Sequence, residues 1–261
     1  MIKHFVHSRI LPVIALAALM ISCDKTPERE YYQLMIYRYD TAGQEARLDQ
    51  YLGKAYLPAL HRAGFDNVGV FKLRDQGNSL SNSIFLLIPF PSLEDFDRLP
   101  GLLKSDSEYM EKGSDYIGSA HDHPPYSRIE SMLLRAFSGS PVITPPDLDS
   151  PREERVYELR SYQSATEQLH ERKVEMFNEG ESELFRKLGF SPVFFAEVIS
   201  SSEMPHLVYM VAHADTTAQN ENWNAFRVHP EWEEMTKIER YQNTVSHIDR
   251  YLLYPTPYSD Y

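Results

Sequence analysis

The chain has one cysteine in 261 residues, so it cannot form an internal disulfide or build a metal site from thiolates. Cationic residues are also scarce: 26 Lys and Arg stand against 38 Asp and Glu, a formal charge of −12. An acidic surface repels phosphate backbones, which argues against nucleic acid as a partner. No glycine-rich phosphate loop is present, and no serine sits in a nucleophile-elbow pattern. The apolar run Ile10–Met20 would extend only about 16 Å as a helix, roughly half a hydrocarbon core. Trp223 and Trp232 are the only tryptophans.

What is present suffices for packed cores. Hydrophobic residues make up 42% and aromatics 12%, and the length fits one large or two small domains. At the N-terminus, Lys3 and Arg9 precede the apolar run, and Ser22–Cys23 closes it. That is the layout of a secretory signal peptide, and it resembles the bacterial lipobox, with Met20 where leucine is commonest. The expectation is a signal peptide over residues 1–22, removed with Lys3, Arg9, His4 and His7. Lipid on Cys23 would then hold the protein at the cell envelope, on the periplasmic or cell-surface side. Residues 23–30 are a charged tether.

Pattern and turn chemistry then predict strand, helix, strand, strand, helix, strand. Gln33–Tyr39 is a strand. Gln44–Ala63 is a helix kinked at Pro58 and closed by Gly64. Asp66–Leu73 and Ser83–Ile88 are strands, Leu93–Tyr116 holds broken helices, and Arg128–Phe137 is the fourth strand. The order recurs with strand Arg155–Tyr162, helix Gln168–Leu188, and strands Val193–Ile199 and Leu207–Ala212. Asp215, Thr216 or Thr217 caps a helix that His229 ends before Pro230. Val245–Leu253 is the last strand. Tyr32, Leu34, Tyr37, Gly64, Phe65 and Val68 lie 125 residues before matching residues of the second copy, and Phe85 lies 124 before Tyr209. The predicted fold is α+β: two tandem ferredoxin-like βαββαβ domains, 31–137 and 155–261, joined by a proline-rich linker over 138–154. Each sheet needs a cover, so the two should pair sheet to sheet as an α/β barrel within one chain. The chain would be a monomer or a dimer.

The second half resembles the NIPSNAP family of the dimeric α/β-barrel group. Tyr157–Tyr162, Glu179 with Gly189 and Phe190, Leu207–Met210, Trp223–Phe226, Pro230–Trp232 and Pro255–Ser259 carry the resemblance. Residues 31–137 look like a divergent relative, with Leu99 and Tyr109 near the places of the two tryptophans. The wider barrel group includes cofactor-free monooxygenases and haem-binding enzymes, but fold does not transfer chemistry.

Tyr209, Trp223, Phe226 and Trp232 either line an aromatic pocket for a flat apolar ligand or form the core face of a helix. Arg227 either holds a ligand carboxylate or pairs with Glu231. His121 and His123 lack a third metal ligand at suitable spacing. His206, His213 and His229 read as capping or surface residues, and Glu179 with Glu183 as solvated carboxylates rather than an acid–base pair. The expected function is a noncatalytic binding module for a small hydrophobic or aromatic ligand or a partner protein, with no cofactor. A cofactor-independent monooxygenase or isomerase is the alternative.

Overall fold

The computed structural model describes residues 28–74 and 80–261. Cys23 and the whole N-terminal signal lie outside the described residues. Helix and strand follow local chemistry closely. β1 (Tyr31–Arg38) leads into Thr41, whose hydroxyl caps α1 (Ala42–Tyr51) by accepting from the Gln44 amide. A widened π-helical turn, Leu52–Tyr56, joins α1 to α2 (Leu57–Arg62). Gly64 takes a φ of 86°, a left-handed value that suits glycine, and turns the chain into β2 (Gly69–Leu73) and β3 (Ser83–Phe90). Helix α3 (Leu93–Ser105) and the short helices α4 (Ser107–Lys112) and α5 (Ser114–Ile117) precede β4 (Arg128–Ala136).

The second half repeats this plan. β5 (Val156–Gln163), α6 (Glu167–Met176) behind its Thr166 cap, a π-turn at Phe177–Glu181, and α7 (Ser182–Lys187) each sit 125 residues after their counterparts. Gly189, at a φ of 82°, repeats Gly64. β6 (Ser191–Ser200), β7 (His206–His213), α8 (Thr216–Arg227), α9 (Pro230–Lys237) and β8 (His247–Pro255) complete the chain. Asp215 is the cap of α8, and His229 caps α9 with Pro230 in its first turn.

The helix break expected at Pro58 is instead the π-turn ahead of it. Proline does not cause that turn, because the second copy has Glu183 at the matching place and the same π-turn. The last strand also runs two residues later than its apolar pattern suggested. Prolines are usually kept off central strands, but Pro255 lies at the strand's end, where it pairs with Phe71.

All eight strands form one closed antiparallel barrel in the order β1-β3-β2-β8-β5-β7-β6-β4. Within each half the spatial order is fourth, first, third, second. The halves meet edge to edge at two seams, β2 with β8 and β4 with β6. Arg29 and Arg135 both reach Glu197 at the second seam. The C-terminal tail laces the first: Asp260 and Ser259 accept from the Val68 and Val70 amides at 2.7 and 2.9 Å.

Alternate residues of every strand converge in one cluster, and the lumen is the one place all eight strands share. Tyr32, Phe71, Tyr157 and Phe194 fill one end of it, together with Tyr261 and Ile143. Ile143 comes from the proline-rich linker, which therefore plugs the barrel as well as joining the halves. Two further clusters lie outside the barrel, one under the helices of each half.

Register corrects one pairing made from sequence. Tyr37 faces Ile84, and its counterpart Tyr162 faces Leu207, an offset of 123 rather than 124. Phe85 therefore corresponds to Val208 in the lumen, while Tyr209 faces the outer layer with Leu86 as its counterpart. A slip of one residue in a strand exchanges its two faces.

Candidate functional site

Two places hold chemically capable groups: the outer layer of the second half and the open end of the barrel. The outer layer contains most of the aromatic set singled out in the sequence. Tyr209, Trp223 and Phe226 are buried there among Phe177, Phe185 and Phe190. Trp232 is half-buried, its ring tilted at 39° with its centre 4.5 Å from that of Phe226, and lines a surface recess with Lys173, Met176 and Thr244. Arg227 is exposed and bonds Asn224. The ion pair expected between Arg227 and Glu231 is absent: Lys187 holds Glu231 at 2.9 Å, because α9 turns Glu231 toward α7.

Beneath α8 lies a charged network that sequence patterns did not indicate. Glu158 is fully buried on β5. Its carboxylate accepts from Arg160, from the Gln219 amide at 2.8 Å and from the Trp223 indole at 2.6 Å. Burial alone would raise its pKa, but Arg160 and these two donors hold it below the usual carboxylate value. The Arg160 guanidinium lies 3.9 Å from the Trp223 ring centre. A second buried pair, Lys173 and Glu181, joins at 2.5 Å across the π-turn, with the ammonium over the Phe177 ring. Burial raises the Glu181 pKa against the pull of Lys173. Both networks are closed on themselves, and buried charge left without its partner is costly, so their geometry is that of a scaffold. Glu179 and Glu183 do not form an acid–base pair: Glu179 accepts from Tyr241, and Glu183 is exposed.

The open end of the barrel is different. A cavity of about 500 Å³ enters the lumen there, within the range of small-molecule sites. Its floor is apolar: Leu34, Ile36, Leu159 and Val208. Its rim carries Arg38, Glu130, Gln163, Glu203, His247 and Asp249. Arg38 pairs with Glu130 at 2.5 Å, Gln163 donates to Glu203 at 3.1 Å, and His247 lies 3.2 Å from Asp249.

His206 lies between floor and rim. It is 4% exposed and neither ring nitrogen has a hydrogen-bond partner. Burial, and then the neighbouring His170, push its pKa down to about 4. It begins β7 in phase with Val208, Met210 and Ala212, so it faces the lumen. The expectation that it was a capping or surface residue fails for a specific reason. β7 is buried on both faces, so its sequence does not alternate and gives no phase. Among the described residues, no three His, Cys, Asp or Glu side chains converge as a metal site. None of the described helices is long and apolar enough to cross a membrane.

Residues 157–260 match the NIPSNAP family model. Solved structures that align over most of the chain share the barrel. A provisionally named monooxygenase from Lactobacillus acidophilus NCFM is 10% identical, with a TM-score of 0.59 over 87% of this chain and 94% of that one. An anthrone oxidase-like protein is 12% identical, with a TM-score of 0.52 over 88% and 93%. An uncharacterised NIPSNAP-like domain protein from Burkholderia xenovorans is 14% identical over 41% of this chain and 89% of that one, with a TM-score of 0.37. None of the curated proteins matches the sequence. At these identities the likeness is one of fold alone.

Two outcomes follow from this geometry. Trp223→Ala should lower unfolding free energy by about 3–5 kcal/mol, as large aromatic truncations in cores do, whereas Arg227→Ala should stay within about 0.5 kcal/mol. Urea titrations of the two variants decide this. For His206 and His213, burial pushes both pKa values down to about 4 from 6.5. Between those values the unfolded state binds more protons, so stability is full above pH 6.5 and falls as pH drops toward 4. The expected slope is up to about 1.4 kcal/mol per pH unit for each histidine, and His206→Asn should remove one share of it in urea midpoints measured across that range.

Proposed function

Residues 157–260 form a NIPSNAP domain, and from that premise we propose that the protein is a noncatalytic binding module that takes a small, largely apolar ligand through the open end of its barrel. It works at the cell envelope, held by lipid on Cys23, with residues 24–30 as the tether. The observation that carries the reading is the lumen cavity itself: an apolar floor, a polar rim, and one buried imidazole with both nitrogens free. Buried polar groups are nearly always satisfied, so an unpaired histidine facing a cavity is a group awaiting a partner. The aromatic set of Tyr209, Trp223, Phe226 and Trp232 backs this barrel wall from outside, and Trp232 alone of the four has an open side. The chain as a whole is a tandem duplication of a ferredoxin-like unit, supported by equal strand orders and the repeated caps and π-turns.

His206 also favours a second reading, in which it removes a proton from the bound ligand as a cofactor-independent enzyme would require. Its depressed pKa weighs against this. A general base works best near the operating pH, and a group near 4 is two to three units too weak. Binding is the better-supported role.

Titration with 2-naphthol, followed by its fluorescence, tests the site. Saturable binding should weaken tenfold or more in Ser161→Phe, which fills the lumen, and remain unchanged in Arg227→Ala. Binding that ignores Ser161→Phe but falls in Trp232→Ala would move the site to the outer recess. The address is tested separately: wild type should fractionate with membranes and Cys23→Ala should not.

A further inference from the structure

The charges at the open end point to the ligand's chemistry. Three of the lining side chains are carboxylates, Glu130, Glu203 and Asp249, and one, Arg38, is a guanidinium. Arg38 is already engaged by Glu130. That leaves Glu203, whose contact is the neutral Gln163 amide, and Asp249, beside His247. Arg250 follows Asp249, but neighbouring residues of a strand face opposite sides, so Arg250 points away from the lumen. The field of these groups is registered at Tyr251, which lies between rim and floor. Burial, then Asp249, Glu130 and Glu203, push its hydroxyl up to about 12, with Arg38 opposing them least strongly. His206 adds no positive charge, since it stays neutral above about pH 4.

We infer that the ligand of the barrel lumen is an amine with a small apolar or aromatic body, its ammonium held at the rim by Asp249 and the free nitrogen of His206 and drawn in by the charge of Glu203. This rests on the reading of the lumen as a ligand site and adds the ligand's charge class. An ammonium supplies the donors that a neutral imidazole nitrogen and a carboxylate both accept. It also relieves the mutual repulsion of carboxylates crowded over a low-dielectric floor. A ligand carboxylate would find no available cation among the lining residues and would face like charge from Glu203 and Asp249. No three ligands of metal type converge among the described residues, which sets a bare divalent cation aside, whereas an ammonium needs only one carboxylate in contact and gains from the field of the others. The floor of Leu34, Ile36, Leu159 and Val208 instead matches an apolar body of about one aromatic ring and its substituent.

The experiment compares three probes of one shape by calorimetry on the full mature chain at pH 7: 2-phenylethylamine, 2-phenylethanol and phenylacetate. The amine should bind about tenfold or more tightly than the alcohol, with phenylacetate weakest, and its advantage should shrink as salt is raised. Asp249→Asn with Glu203→Gln should bring amine affinity down to that of the alcohol, whose own binding is unchanged and reports that the variant is folded. Alcohol or carboxylate binding equal to or tighter than the amine overturns the charge assignment and leaves the lumen site standing, as does an amine preference untouched by the double variant. If none of the three binds, the lumen site fails along with it.

Discussion

Neither four-stranded sheet can bury its inner face alone, and the rest of the molecule follows from that constraint. The lumen holds bulky residues from all eight strands, Tyr32, Phe71, Phe85, Tyr157 and Phe194 among them. Each large side chain taken from water contributes about 1.5–3 kcal/mol, and a separated half would expose its whole share as one apolar patch. Closing the sheets edge to edge solves both problems together, since a barrel has no free edge for another chain to extend. The seams, the linker plug at Ile143 and the C-terminal lacing onto β2 all serve that closure.

The two halves share a backbone plan but differ in what they bury. In the second half, Glu158, Arg160, Lys173 and Glu181 lie under α6, α8 and the π-turn. Their counterparts in the first half are Gln33, Met35, Leu48 and Tyr56. There a stack of tyrosines takes over, with Tyr51 flat against Tyr116 at 3.6 Å and bonded to Tyr109 at 2.8 Å. Both solutions pair the charges and hydroxyls named, although His213 Nε2, 3.8 Å from Glu158, is buried without a hydrogen bond, and buried ionic networks are weak evidence for stability in themselves. The π-turn persists under either chemistry, so the backbone plan does not depend on the ion pair.

The barrel is closed at one end and open at the other, and this asymmetry sets where charged side chains can stand. Tyr261, Ile143 and four aromatic strand residues fill the closed end. At the open end the same alternating positions carry Arg38, Gln163, His206 and Asp249. A charged group there reaches solvent, whereas the closed end holds only the hydroxyls of Tyr32, Tyr157 and Tyr261, each buried without a partner. Charge is therefore confined to the open end, where it stays hydrated.

Much of the fold was legible in the chain. Asp215 announces a helix start, Gly64 and Gly189 announce helix ends, and the 125-residue spacing of matched landmarks announces two copies. These signals are local, each set by a cap, a left-handed glycine or a run of β-formers, so they survive without knowledge of neighbours. The open-end cavity and its lining were not legible. His206 stands at the start of a strand with no alternation, and Glu130, Glu203 and Asp249 are ordinary carboxylates on three separate segments. Trp223, the most conspicuous side chain, became a donor to a buried carboxylate. Local pattern is enough to say which segments are strands, which are helices, and that there are two sets of them. The phase of β7, the offset of 123 that sends Tyr209 outward, and the end at which the lumen opens come from the folded chain alone. Those depend on which strand edges pair, and pairing is a contact between residues far apart in the chain, which no local pattern encodes.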